Sequence, residues 1–503
     1  MESSTRMEKT RTQDVEGQSD TSKAPVSHEI EKLAADHRQY LMDRHGSLAL
    51  EPVPSMDPAD PYNWPRRTKI VTLILVAFHA MMGPFTAAAI QSAYVNIAED
   101  MNIPVQQATY LTSLVIAFLG GAPLFWKPLS NYYGRRPIFL IALICSMAGN
   151  IGCGFSPSYG TMALCRAITA FFISPAAAIG SAVVSEMFFK HERATFMGAW
   201  TIMVTLGIPI APFLFGFVAL RVDYRWIYFI LAITNFVQFV LHFFFGPETL
   251  YRRDFAVKPS SPKFKHKYFA FGRINPDPLS WRDFLHPFIY FTRPAVWIPA
   301  MSYAMIFLWA IIMCSIEIPS LFPEQFGFNT QQVGLQFLAF ILGSIIGEQI
   351  GGRLSDYWMN YRRKKTGASV PPEWRLWLSY PGQAFAIIGV IVFLIQTSAA
   401  SSVWNITPLV GVTIAAVGNQ LVTTVYITYS VDCYKEDAAG VGVFITFVRQ
   451  IWGFIGPFWF PQLIEKAGLR GTAGVATAMM VVFSVLPTLF LQFKGRQLHR
   501  VKE

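Results

Sequence analysis

Ionisable side chains inside apolar runs are where this sequence could do chemistry. Arg166 interrupts one such run, and Glu317 and Glu348 are the carboxylates set deepest in two others. A charge in hydrocarbon costs on the order of 2.5–3.5 kcal/mol on insertion scales, so each must face a cavity or a partner. A buried carboxyl is also a group that can carry a proton. Glu317 and Glu348 are therefore candidates for proton transfer, and Arg166 is a candidate for a role that repays its cost. Competing readings stand beside them: a structural ion pair for Arg166, a watery position at the outer end of its run for Glu317, and pairing with a loop arginine for Glu348. His79 is a further titratable candidate, unless it is merely hydrogen-bonded. Asn235, Gln238, His242, Gln383, Asn419, Gln420, Arg449 and Gln450 are also set among apolar residues.

The elements that must position these groups are membrane helices. Of 503 residues, 53% are hydrophobic and only 14% charged, against roughly 25% charged in a soluble domain. Apolar runs of about 20 residues, the length that crosses a bilayer, recur along the chain. Twelve are predicted, at 69–92, 107–127, 137–156, 161–187, 195–220, 224–246, 295–320, 331–353, 376–397, 405–431, 441–463 and 473–493. The expected division is a disordered cytosolic tail (1–68), a six-helix bundle (69–250), a central cytosolic loop (251–293), a second six-helix bundle (294–493) and a short cytosolic tail (494–503). The N-terminal stretch has no apolar core that would make it a secretory signal. Ile30, Leu33, Ala34, His37 and Leu41 have the spacing of a short surface helix, and Met56–Pro65 breaks it before the membrane.

The net charge of +10 resides largely in loops between the runs. With the N-terminus inside, Lys and Arg crowd the inner loops and are sparse outside, so both termini are expected in the cytosol. No basic helix or RNP-like motif accompanies the charge, which argues against nucleic acid as a partner. The five cysteines, Cys145, Cys153, Cys165, Cys314 and Cys433, form no CxxC pair and read as small core hydrophobes. No phosphate-binding loop ending in Gly-Lys-Ser/Thr is present, so a built-in ATPase is not expected. No metal or cofactor is called for. Trp281, Phe284, Leu285 and Phe288 predict a short helix on the inner membrane surface, limited by Pro287. The sequon at Asn405 lies in an outer loop close to the membrane.

A repeat organises the chain. Leu129-Ser130-Asn131-Tyr132-Tyr133, followed by Gly134, Arg135 and Arg136, reads as a basic turn after the second run. Leu354-Ser355-Asp356-Tyr357-Trp358, preceded by Gly351 and Gly352, returns after the eighth. One loop used twice between membrane helices points to two duplicated halves.

Twelve runs, two halves and this repeated loop resemble the major facilitator superfamily over nearly all the chain from about Asp57. DPYNW, YGRRP, GPETL and SVDCY, at their places beside runs one, two, six and ten, look more narrowly like the fungal twelve-span drug:proton antiporters. The resemblance implies an all-α membrane protein, with twelve transmembrane helices in two pseudo-symmetric six-helix bundles. It makes Asn131, Gly134, Arg135, Arg136, Gly352 and Asp356 parts of conformational loop motifs. Asn131 stands where the family has an acid, which weakens the first latch. It links Arg166 to proton transfer, although Thr169 and Ala170 depart from the family's neighbours. Gly198, Gly207, Ala211-Pro212 and Gly216 follow an antiporter-type helix spacing, for which plain helix packing is the alternative. His79, Tyr303, Trp309, Asn419, Gln420 and Tyr426 become candidate cavity residues.

The function so implied is proton-coupled export of a small organic compound, a drug, toxin or secondary metabolite, across the plasma membrane by a single chain in the lipid bilayer. An importer of a nutrient or polyamine with the same fold is the first alternative. A membrane enzyme or receptor is the second, and no clustered catalytic groups support it.

Overall fold

The computed structural model describes residues 35–48, 50–251, 274–275, 278–366, 371–400, 403–434 and 437–500. The side chains of Ala194, Asp356 and residues 496–500 lie outside that description. The described residues form helices and connecting turns, with no strand among them. Twelve helices are long and apolar enough to cross a membrane. Spans one to six are Arg66–Met101, Val105–Tyr133, Arg135–Gly154, Tyr159–Met187, Lys190–Arg221 and Arg225–Phe245. Spans seven to twelve are Pro294–Phe326, Thr330–Thr366, Pro372–Ala399, Thr407–Cys433, Ala438–Phe458 and Phe460–Gly495. An even number of crossings puts both chain ends on one face, called here the termini face, and the odd-to-even turns on the far face.

Several spans outrun their apolar cores. Span two continues helically through Leu129–Tyr133 and stops only at Gly134, whose φ of 100° a side chain would resist. The predicted basic turn is therefore one residue wide, and span three begins at Arg135. The second copy has no turn at all, since Gly351–Trp358 lies inside the helix Leu338–Thr366. Helix continues wherever backbone polar groups can pair internally, even after the sequence turns polar. Span eleven ends at Phe458, earlier than the periodicity predicts, and Gly468 (φ 66°) breaks the chain before span twelve settles into the membrane.

The expected disorder of 1–68 does not extend to residues 35–48 and 50–66. Ala35–His45 is a helix whose Leu41 is fully buried. The polar stretch after it folds on its own side chains: Asn63 Nδ2 donates to the carbonyls of Ser55 (2.7 Å) and Asp57 (2.9 Å), and Asp60 accepts from the Ser55 and Tyr62 amides. Tyr62 then donates to the Ser185 carbonyl at the end of span four (2.5 Å). Apolar anchors and satisfied backbone thus hold a segment whose composition reads as a tail. Residues 1–34 lie outside the described residues.

Spans one to six pack as one bundle and seven to twelve as another. The halves meet where span two lies on span eleven and span five on span eight. Gly120 makes the first contact close, because a Cβ there would stand 2.7 Å from Gln450 Cβ. The predicted surface helix is present as Trp281–Leu285, started by a Ser280–Asp283 capping box and turned into 3₁₀ geometry at Pro287. Trp281 is exposed, while Phe284 leans on Phe125 of span two, ring centroids 5.9 Å apart.

Candidate functional site

Arg166 is 1% exposed, and its guanidinium donates to backbone carbonyls rather than to a carboxylate. Its Nε donates to the Leu111 carbonyl (3.1 Å) and its Nη2 to those of Thr86 and Ala87 (both 3.3 Å). Span one explains the choice. Its first helix ends at Ala88 and resumes at Tyr94 after a 3₁₀ turn. The last carbonyls of a helix lack intrahelical donors and carry partial negative charge. The guanidinium fills that role and lies 5.9 Å from the Tyr228 ring, while Nη1 has no partner. The ion-pair reading gives way to a cation bracing a break in span one.

The loop motif is built on two acids that the site candidates omit. Arg135 donates through Nη1 to Ser130 Oγ (2.6 Å) and Asn131 Oδ1 (2.7 Å), and through Nη2 to Glu186 at the end of span four (2.8 Å). Arg136 reaches the carbonyls of Gly246 (2.8 Å) and Phe243 (2.7 Å). Glu248, within the quoted GPETL, takes the backbone N–H groups of Arg135 (2.9 Å) and Arg136 (3.0 Å). A carboxylate on the free N–H groups of span three is favourably placed. Burial pushes its carboxyl above the ordinary value, and those N–H groups and that of Leu250 pull it back. Asn131 therefore receives an arginine, and the helix cap belongs to Glu248.

The second half repeats the serine–arginine–acid part of this arrangement. Arg375 Nη1 donates to Ser355 Oγ at 2.6 Å, and its Nε lies 3.2 Å from Asp432 at the end of span ten. Ser130, Arg135 and Glu186 thus correspond to Ser355, Arg375 and Asp432. A Cβ on Gly352 would meet nothing within 4 Å. The Asp356 side chain lies outside the described residues.

In the second bundle, Glu317 is 3% exposed and its Oε1 has no hydrogen-bond partner. It is not a watery end residue. Ser315, two positions before it, accepts from Gln91 Nε2 of span one at 3.4 Å, so this turn of span seven abuts the seam between halves. Glu348 accepts from Gln420 Nε2 (2.9 Å) across spans eight and ten, and Asn419 donates to Gln420 (3.3 Å). Tyr303 accepts from Arg449 Nη1 of span eleven (2.9 Å), with the same guanidinium 4.7 Å from the Phe307 ring. Arg449 was legible as a charge in an apolar run, yet nothing in the sequence paired it with span seven.

Three of the candidate cavity residues are buried among neighbouring spans. Trp309 is fully buried against Trp459 and Phe460. Tyr426 joins Gln383 (2.6 Å) and Thr488 (2.5 Å) in a polar knot of spans nine, ten and twelve. His79 packs against Phe139 and His242 inside the first bundle.

Span five divides its glycines. Gly207 lies against span one, a Cβ falling 2.7 Å from the Met81 carbonyl. Gly216 lies against span eight, 2.8 Å from the Thr330 carbonyl, and the Pro212 carbonyl lies 2.6 Å from where Gly334 would carry a Cβ. Gly198 faces open space. The same far face is joined by Thr330 donating to Asn96 (2.8 Å), Gln106 donating to the Pro457 carbonyl (2.8 Å) and Tyr110 stacked on Phe458. On the termini face Lys127 stands 3.7 Å from Asp437. Asn405 accepts from the Thr407 amide directly before span ten.

A family model described as Major Facilitator Superfamily matches residues 73–457. The chain is 25% identical over 444 residues to the MFS-type transporter penM of Penicillium rubens, covering 86% of each. It is 26% identical over 453 residues to the efflux pump vrtL of Penicillium aethiopicum, covering 88% of each. The efflux pump radE of Floropilus chiversii is 25% identical over 451 residues, 86% of this chain and 82% of that one.

Proposed function

Since the chain belongs to the major facilitator superfamily and is a multi-pass membrane transporter, we propose that it exports a small organic compound in exchange for protons. Relatives named as efflux pumps support the direction. The observation that carries the proton is Glu317, a carboxyl of span seven that is 3% exposed with Oε1 unpartnered. As an anion it would be costly in that seat. A state of the cycle that brings water to this carboxyl would remove that cost. The group is then suited to take up and release a proton once per cycle, and to bias the two states differently.

The substrate passes between the halves, near Arg449 with Tyr303 and Glu348 with Gln420. A cation over aromatic rings, with a carboxylate on a different span, fits compounds with both apolar and polar parts. The termini face is cytosolic on the charge asymmetry, and the membrane is the plasma membrane.

The test is transport of dyes and toxins into inside-out vesicles under an imposed pH gradient. Accumulation that an uncoupler abolishes, and that Glu317→Gln reduces at least tenfold, is the expected result. Accumulation unchanged in the variant removes Glu317 from the coupling. Proton-driven uptake in right-side-out cells, with none in vesicles, makes the protein an importer.

A further inference from the structure

An open cavity of about 440 Å³ lies on the termini face, where the Ala35–His45 helix meets the start of span one. The helix brings Arg44 and His45 to its lining, and span one brings Arg66 and Lys69. Contacts with the polar segment between them fix these groups. Arg44 Nη2 donates to the Asn63 carbonyl (2.6 Å), and His45 Nε2 lies 3.0 Å from Asn63 Oδ1. The His45 ring also stands edge-on to Phe189, which stacks on Tyr62.

Lys69 is the informative residue. It is only 6% exposed. Its Nζ donates to the Tyr62 carbonyl (2.9 Å) and stands 5.1 Å from the centre of the Phe189 ring, with Tyr62 and Phe188 slightly farther off. None of these contacts is a carboxylate. An ammonium has three donors, and one carbonyl engages one of them. The rings offset part of the charge, yet a buried cation ordinarily has an anion beside it.

The surroundings add positive charge. Span one begins after Pro65, which supplies no side-chain cap, so the positive end of its helix dipole is left open. Arg66 and Arg44 are exposed on the lining. Asp43 is the one acid there, and it too is exposed. Asp60, close by in the chain, accepts from the amides of Ser55 and Tyr62. The cavity therefore sets three cations against one carboxylate.

This chemistry selects an anion. Guanidinium forks match the paired oxygens of a phosphate, an ammonium adds a point charge, and an uncapped helix start favours the same group. The volume is that of a small-molecule site rather than of a bare ion. Trp64, which also lines the cavity, stands at the start of a span, where aromatic residues mark the level of the lipid headgroups.

We propose that this cavity binds a phosphate monoester carried on a larger polar or lipid body, with Lys69, Arg66 and Arg44 as its cationic partners. An anionic lipid headgroup and a soluble organic phosphate both present that group. The occupant ties the Ala35–His45 helix to span one. The site does not depend on proton coupling.

The experiment is native mass spectrometry of the full chain, delipidated in detergent and titrated with phosphatidic acid or phosphatidylcholine. One phosphatidic acid, held about tenfold more tightly than phosphatidylcholine, is expected. Arg66→Gln and Arg44→Gln should each weaken it about fivefold. Lys364→Gln, at an exposed cation of span eight, should leave it unchanged. Lys69→Gln should lose it, and the two exposed arginines decide the matter if that variant fails to fold. Equal binding of the two lipids, indifference to both arginine variants, or an equal loss from Lys364→Gln overturns the site. Glycerol 3-phosphate at millimolar concentration separates the sources. Displacement of phosphatidic acid assigns the site to a soluble organic phosphate, and no displacement assigns it to the lipid.

Discussion

Gly134 shows how much one residue can decide. Its φ of 100° turns the chain between spans two and three, and an added Cβ would stand 2.4 Å from Glu248 Oε2. Alanine must strain the backbone and push the carboxylate off the Arg135 and Arg136 amides. Gly134→Ala is expected to destabilise the first bundle by about 1–3 kcal/mol, visible as a lower melting temperature of the purified protein. Gly198 sits mid-helix with nothing within 4 Å of its Cβ position. Gly198→Ala is expected to be neutral or to stabilise by up to about 1 kcal/mol. A motif read from the sequence treats both glycines alike, whereas the melt should separate them. Arg166 makes the same point. Its burial was legible from the apolar residues around it, but its partners are carbonyls of spans one and two, which no spacing reveals.

At the scale of the element, span five packs on both bundles. Its middle glycine admits span one and its later glycine admits span eight. Pro209 and Pro212 lie within the same helix, and each removes a backbone hydrogen bond and permits bending. A larger side chain at Gly216 would wedge against the Thr330 carbonyl and the Gly334 backbone. Gly216→Val is expected to open the far face and weaken the Asn96–Thr330 contact. In a chain carrying Asn96→Cys and Thr330→Cys, oxidative cross-linking should be efficient and should fall several-fold when Gly216→Val is added. Equal cross-linking would mean that the seam tolerates the wedge. Here the sequence was informative about spacing and silent about direction. Small residues at regular intervals signal close packing, and only the fold says that Gly207 and Gly216 serve different neighbours.

At the scale of the molecule, the two halves hold the same latch. Arg135 binds Ser130 and Glu186, and Arg375 binds Ser355 and Asp432. Duplication explains the match, and it tethers the second and fourth spans of each half at the termini face. Between halves, Lys127 and Asp437 form a partly exposed pair, with side chains 19% and 32% accessible. Such a pair contributes on the order of 0.2–1 kcal/mol. Reversing either charge, Lys127→Asp or Asp437→Lys, should slow transport, and combining them should restore part of the rate. A double-mutant cycle of transport rates measures this, and strictly additive losses would show that the pair does not couple the halves.

The sequence by itself determined the helical membrane character, the count of twelve spans and the internal duplication. These depend on quantities local to the chain: the length of apolar runs, and the identity of residues repeated at matching places. It also located the costly charges, because an ionisable residue in hydrocarbon is conspicuous wherever it points. The tertiary structure alone decided what those charges touch. It placed His79, Trp309 and Tyr426 in bundle interiors, gave Glu186 and Glu248 their arginine and helix partners, and buried Glu317. A helix rotates its side chains by about 100° per residue, so which neighbour each meets depends on how distant spans pack, and no local pattern in the chain carries that.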